Sequence, residues 1–149
     1  MRMLLPVLAL LLASPPALRA QSAADSAAVR RAALDYIEGW YGGDSAKMQR
    51  AVHPELAKRI VHRDAQGRSV LSPTSADALV YATRLGAGKD VPPGRQQKDV
   101  RILTLDGDMA SVRLLSTKLV DYMHLARWNG EWKIVNVLWD FRPEFRPKP

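Results

Sequence analysis

From Leu119 to Trp139 two apolar runs flank Asn129-Gly130, the residue pair that most favours a two-residue type I′ turn between antiparallel strands. With Trp128 opposite Glu131, strict alternation puts Asp121, Met123, Leu125, Trp132, Ile134, Asn136 and Leu138 on one face. The other face then carries Val120, Tyr122, His124, Ala126, Lys133, Val135, Val137 and Trp139. Both faces are mostly apolar, which predicts a hairpin covered by helices on one side and by another sheet or subunit on the other.

Upstream the period changes to that of helices. Asp25 or Ser26 can cap a helix running to about Tyr41, with Val29, Ala33, Tyr36 or Ile37, and Trp40 on its apolar side and Arg30, Arg31, Asp35 and Glu38 opposite. Gly42-Gly43 ends it. Asp44 or Ser45 caps a short second helix with Met48, Ala51 and Val52 inward, which stops at His53-Pro54 because a residue before proline is pushed away from helical angles. A small hairpin follows, Arg59 to His62 and Ser69 to Leu71 around the turn Asp64 to Gly67. The segment Ser72 to Ser75 opens a third helix to about Leu85, with Leu79, Ala82 and Thr83 or Leu85 inward, closed by Gly86 to Gly88. Lys89 to Lys98, holding Pro92-Pro93-Gly94, reads as a mobile polar loop.

After that loop come only strands: Val100 to Leu105, Met109 to Leu115, Lys118 to Trp128 and Glu131 to Trp139, then a tail from Phe141 to Pro149 expected to be extended and frayed. Helices segregated before a meander predict an α+β fold in which the helices pack on one face of a curved antiparallel sheet. A cavity is expected between the concave face and the helices.

The first residues change where this domain is expected to act. Met1-Arg2-Met3, an apolar run from Leu4 to Ala13 broken by Pro6, and the small-residue end Ala17-Leu18-Arg19-Ala20 have the pattern of a secretory signal peptide, cleaved near Ala20. The run is about half of the roughly 20 residues that a membrane-spanning helix needs. Export to the periplasm or the extracellular space, without stable membrane insertion, is therefore expected, and residues 21–149 form a single domain with an ordered core over about 25–140. The chain has no cysteine, so core packing alone must hold it together.

Charge adds little. Removing the leader, with Arg2 and Arg19, lowers the formal net charge from +7 to +5. Arg30, Arg31, Lys58, Arg59, Arg84, Lys98, Arg101 and Arg142 are scattered among acids, the pattern of a solvated surface and not of a nucleic-acid or polyanion site.

Tyr36-Ile37-Glu38-Gly39-Trp40-Tyr41, then Gly43-Asp44, Met48 and His53-Pro54-Glu55-Leu56, resemble the first two helices of the nuclear transport factor 2-like superfamily. The ending Val120-Asp121-Tyr122-Met123-His124-Leu125, with Gly130 to Trp139, resembles more narrowly its lumazine-binding branch. The resemblance covers roughly residues 25 to 140. It implies a cone-shaped, cystatin-like α+β domain with about three N-terminal helices on a curved antiparallel sheet, often a dimer through the sheet. The superfamily includes ketosteroid isomerases, scytalone dehydratases, polyketide cyclases and non-catalytic binding or assembly modules, so the fold does not carry one reaction.

The candidate chemistry is sparse. Asp121 and Asn136 share the hairpin face with Met123, Leu125, Ile134 and Leu138, where polar groups need partners. Asp121 is either a general base or ligand anchor at the pocket, or a tie to a strand or helix end; Asn136 meets a ligand or a backbone group. Tyr122 and His124 lie on the opposite face, as an oxyanion donor and an acid–base group or as satisfied interface residues. Tyr36 and Trp40, four apart on the first helix, could sandwich a flat ligand or form plain core. Trp132 and Trp139 face opposite sides by parity. His53 and His62 fit no metal-ligand spacing, and no cofactor is implied.

Two functions follow as expectations. The first is an exported, non-catalytic small-molecule-binding or assembly module using Tyr36, Trp40, Asp121, Met123, Asn136 and Leu138 around a small apolar or planar ligand. The second is a cofactor-independent isomerase, dehydratase or cyclase with Asp121 or His124 as base and Tyr36 or Tyr122 as donor.

Overall fold

The computed structural model describes residues 16–147, with side chains from residue 22 onward. The apolar leader Leu4 to Ala13 lies outside the described residues. Helix α1 spans Pro16–Gly42, α2 Ser45–Ala51 and α3 Ala76–Arg84. Six strands follow or interrupt them: β1 Val52–Arg63, β2 Ser69–Thr74, β3 Lys98–Asp106, β4 Met109–Ser116, β5 Leu119–Trp128 and β6 Glu131–Phe141. They form one sheet in the order β2-β1-β6-β5-β4-β3, with all three helices packed on one face.

The local signals that start and stop these elements act as their chemistry requires. Asp44 caps α2 through its carboxylate on the Lys47 N–H, and Ser75 caps α3 through its hydroxyl on the Ala78 N–H. Asn129 and Gly130 both take positive φ, 50° and 82°, the two left-handed positions of a type I′ turn, and Trp128 pairs with Glu131 as expected. The buried side of α1, Val29, Ala33, Tyr36, Ile37 and half-buried Trp40, follows the 3.6-residue repeat. It lies on the inward stripe of the sheet, in which Val112, Leu114, Met123, Leu125 and Ile134 are almost wholly buried.

Several expectations are corrected. The sheet is mixed, because β1 runs parallel to β6. β1 is longer than the segment Arg59 to His62 and includes Pro54, which is tolerated because its neighbourhood falls in the break of the β1–β6 ladder between Val52 and Ala57. α1 begins upstream of Asp25, so Asp25 is not a cap: its carboxylate pairs with Arg127 at 2.6 Å and accepts from the Trp132 indole, tying the helix to the β5–β6 hairpin.

The segment from Lys89 to Lys98 is a tethered strap. Val91 is buried, Pro93–Arg95 forms a 3₁₀ turn, and the Thr117 hydroxyl donates to the Arg95 carbonyl. At the other end, Phe141 closes β6 against Trp139 and a second 3₁₀ turn spans Pro143–Phe145, so the start of the tail is ordered.

The largest correction lies within the final hairpin. β6 carries a bulge: Leu125 pairs with Ile134, but the next residue back, His124, pairs with Asn136, leaving Val135 as the extra residue. Past that point the alternation of β6 is inverted. Val137 and Trp139 turn to the helix side with Asp121 and Met123, while Asn136 and Leu138 turn to the outer side with Tyr122 and His124.

Candidate functional site

The bulge brings Trp139 beside Asp121, its direct partner across the β5–β6 ladder, on the inner face. There the two strands meet α1 and α3 around a cavity of about 210 Å³. Tyr36, Ile37 and Trp40 come from α1, and Leu79 and Ala82 from α3. Lys58 of β1, Thr74 of β2, Leu119 and Asp121 of β5, and Trp139 of β6 complete the wall. The wall is apolar except at one end. Trp40 is pressed onto the strap after α3, where Gly88 has no side chain; a Cβ there would stand 2.4 Å from the Trp40 carbonyl oxygen.

The polar end is a closed triad. The Lys58 ammonium donates to Asp121 Oδ1 at 3.0 Å and to the Tyr36 hydroxyl oxygen at 2.9 Å, and the Tyr36 hydroxyl donates to Asp121 Oδ1 at 3.2 Å. Lys58 also lies 4.5 Å from the centroid of the Trp139 ring, within cation–π range. Asp121 is 1 % exposed, and the Lys58 side chain 7 %. Burial pushes the Lys58 ammonium below its ordinary range, opposed by the charge of Asp121 and the hydrogen bond to it. Burial, and then the Asp121 charge and hydrogen bond, raise the Tyr36 phenol well above its ordinary value. Lys58 and Asp121 meet at ion-pair distance, and the Tyr36 phenol is held in its neutral form. Asp121 Oδ2 and Trp139 Nε1, both buried, have no hydrogen-bond partner.

A second depression of about 220 Å³ shares Trp40, Leu119 and Trp139 with the first and continues toward the strap. Its mouth carries Lys118 and Asp90, which form an ion pair.

The sequence-predicted residues separate into two groups. Tyr36, Trp40 and Asp121 come together at the cavity. Met123 is on the same face but lies in the packed core, 1 % exposed. Asn136 and Leu138 do not belong with Asp121, because the Val135 bulge turns them outward. Leu138 is 52 % exposed, and Asn136 accepts from Arg59 and meets the His124 ring at 3.2 Å. Tyr122, half exposed, and His124 stand on that outer face, separated from Asp121 by the sheet. Lys58 and Trp139 are not among the sequence candidates: Lys58 sits in the sequence among scattered bases, and parity places Trp139 outward with Trp132 inward, whereas both tryptophans face the helices. Among the described residues no three histidine, aspartate or glutamate side chains gather as a metal site, and no helix is long and apolar enough to cross a membrane.

Comparison with known proteins agrees with this architecture. A nuclear transport factor 2-like protein of unknown function from Silicibacter pomeroyi is 16 % identical, with a TM-score of 0.61 over 81 % of this chain and 98 % of that one. One from Shewanella baltica is 18 % identical, with a TM-score of 0.62 over 81 % and 96 %. A nuclear transport factor 2-like protein with a cystatin-like fold from Novosphingobium aromaticivorans is 12 % identical, with a TM-score of 0.64 over 85 % and 88 %. These likenesses establish the fold alone. No curated protein matches the chain. Residues 24–140, nearly all of the described domain, match the family described as "Putative lumazine-binding", and the chain belongs to that family.

Proposed function

We propose that this protein is an exported, non-catalytic small-molecule-binding module that holds a flat, mostly apolar ligand in the cavity between α1, α3 and the inner face of the sheet. The observation that carries the reading is the make-up of the cavity wall: apolar sides, closed at one end by three polar groups already engaged with one another. Pockets that bind small molecules are commonly apolar with a few placed polar groups. An engineered apolar cavity of about 150 Å³ admits benzene, so about 210 Å³ suits one or two fused rings. Lumazine, the flat bicycle in the family's description, is the first ligand to test. Export rests on the leader pattern of residues 1–20. The bare outer face of the sheet, with Val61, Leu71, Tyr122 and Leu138 each about half exposed, supports a homodimer through that face.

Thermal shift with lumazine and a panel of one- and two-ring aromatics tests the cavity. A ligand at 100 times its dissociation constant stabilises by about 2.7 kcal/mol. Ala82→Phe, which fills the cavity from α3, is expected to abolish the response. A panel without any shift, or shifts that persist in Ala82→Phe, removes the reading.

One observation favours a second reading, a cofactor-independent isomerase or dehydratase: the Tyr36 hydroxyl and the Asp121 carboxylate meet in one cavity. Lys58 weighs against it, because it neutralises Asp121, and because the Tyr36 proton points to Asp121 and not to a substrate oxygen. Deuterium uptake from heavy water into the α-carbon of β-tetralone, above the buffer rate and lost in Asp121→Asn, would establish the enzyme.

A further inference from the structure

We infer that Asp121 Oδ2 and the Trp139 indole N–H act together as a reading pair that selects ligands presenting a ring N–H beside a carbonyl, the edge of a lactam or imide. The inference rests on the proposed cavity and deepens it by naming the edge of the ligand that the cavity recognises.

The carboxylate of Asp121 is used unevenly. Oδ1 accepts from both Lys58 and Tyr36, whereas Oδ2, equally out of reach of solvent, accepts from nothing. Trp139 Nε1 is buried and donates to nothing. Among the described residues these are the two buried side-chain polar atoms without a protein partner. Native interiors keep few such atoms, and each calls for a reason. Both belong to residues lining one cavity, and the two residues are direct partners in the β5–β6 ladder. Directly opposed side chains on one face have Cβ atoms about 4.5–5.5 Å apart. Two residues side by side in the cavity wall thus hold a spare acceptor and a spare donor.

A lactam edge is the complement of that pair. Its N–H donates to Asp121 Oδ2, and the adjacent carbonyl accepts from Trp139 Nε1. Lys58 positions both readers, with its ammonium on Asp121 Oδ1 and over the Trp139 ring. Because Lys58 already balances the carboxylate, the end of the cavity is electrically neutral, which favours a neutral heterocycle over a cationic amidine that would offer donors alone. Ile37, Leu79 and Ala82 supply apolar surface for the rest of the ring system.

Calorimetric titration of the full domain with three bicycles of similar size tests this: quinolin-2(1H)-one, its N-methyl derivative, and quinoline. The lactam is expected to bind at least about tenfold more tightly than either, the N-methyl compound losing the donor and quinoline the paired edge. Trp139→Phe, which keeps an aromatic ring and costs the protein no internal hydrogen bond, is expected to lower lactam affinity about tenfold and quinoline affinity by less than about threefold.

Equal affinity for the three compounds overturns the reading pair while leaving the cavity as a ligand site. Binding of none, or binding that survives Ala82→Phe, overturns both. A lactam preference unchanged in folded Trp139→Phe also overturns the pair. Should Trp139→Phe fail to fold, the comparison of the three compounds on the unaltered protein decides alone.

Discussion

Lys58 and Asp121 are the costliest side chains in this protein to bury, and each is tolerated because of the other. Taking an ammonium and a carboxylate out of water is repaid only when they meet with good geometry. At 3.0 Å, with Tyr36 bridging both, they do. Lys58→Met therefore leaves a stranded carboxylate and is expected to destabilise by about 3–5 kcal/mol, as is removal of the Asp121 charge alone. Changing both, Lys58→Met with Asp121→Leu, is expected to cost clearly less than the sum of the two single changes, because no buried charge remains. Denaturant unfolding of the four proteins in the cycle checks this; additive losses would mean that the pair is not coupled. The need of Asp121 for a partner was legible as a lone acid on an apolar strand face. Its partner is harder to see, because Lys58 stands in the sequence among scattered bases. The signal lay in Leu56, Lys58 and Ile60, an inward alternation in which a lysine occupies a core position.

At the scale of elements, one residue of backbone decides what the cavity contains. Val135 is the extra residue of β6, and it alone turns Val137 and Trp139 inward and Leu138 outward. Deleting Val135 removes the bulge and places Asn136 directly after Ile134, so strict alternation keeps Val137 and Trp139 inward and Asn136 and Leu138 outward. Cooperative unfolding is therefore expected to survive the deletion, which loses only the local bend and twist that the bulge supplies. Val135→Ala, which keeps the residue count, is expected to cost about 1 kcal/mol or less, because Val135 is only partly buried. Loss of cooperative unfolding in the deletion would show that the faces beyond Ile134 are not set by this register.

The hairpin itself was legible down to the Trp128–Glu131 pair, because Asn-Gly specifies its turn chemically. The inversion beyond it was not, since Val135-Asn136-Val137-Leu138 gives an acceptable apolar pattern in either phase. The parallel pairing of β1 with β6 was hidden for a different reason. It joins segments about 80 residues apart and leaves no mark in the local period of either.

For the whole molecule, the placement of the helices leaves an imbalance. All three cover one face of the sheet, and the other face shows Val61 opposite Leu71 and Leu138 opposite Tyr122, each about half exposed, flanked by Arg59 and Arg113. The two-sided apolar pattern of β5 and β6 called for a second cover, and a second copy of the chain is the one proposed here. In a two-fold interface every substitution occurs twice and faces its own symmetry mate's surroundings. Leu138→Lys adds two cations to a face that already holds Arg59 beside Leu138. It is expected to convert a dimer into a monomer when light scattering is read on a size-exclusion column. Because Leu138 is half exposed in the single chain and lies across the sheet from the cavity, binding of a cavity ligand should survive the change. A parent protein that elutes as a monomer at tens of micromolar would remove the dimer. Loss of both dimer and ligand binding in Leu138→Lys would mean instead that the two faces of the sheet are coupled, with the partner copy holding β5 and β6 in the register that places Trp139 beside Asp121.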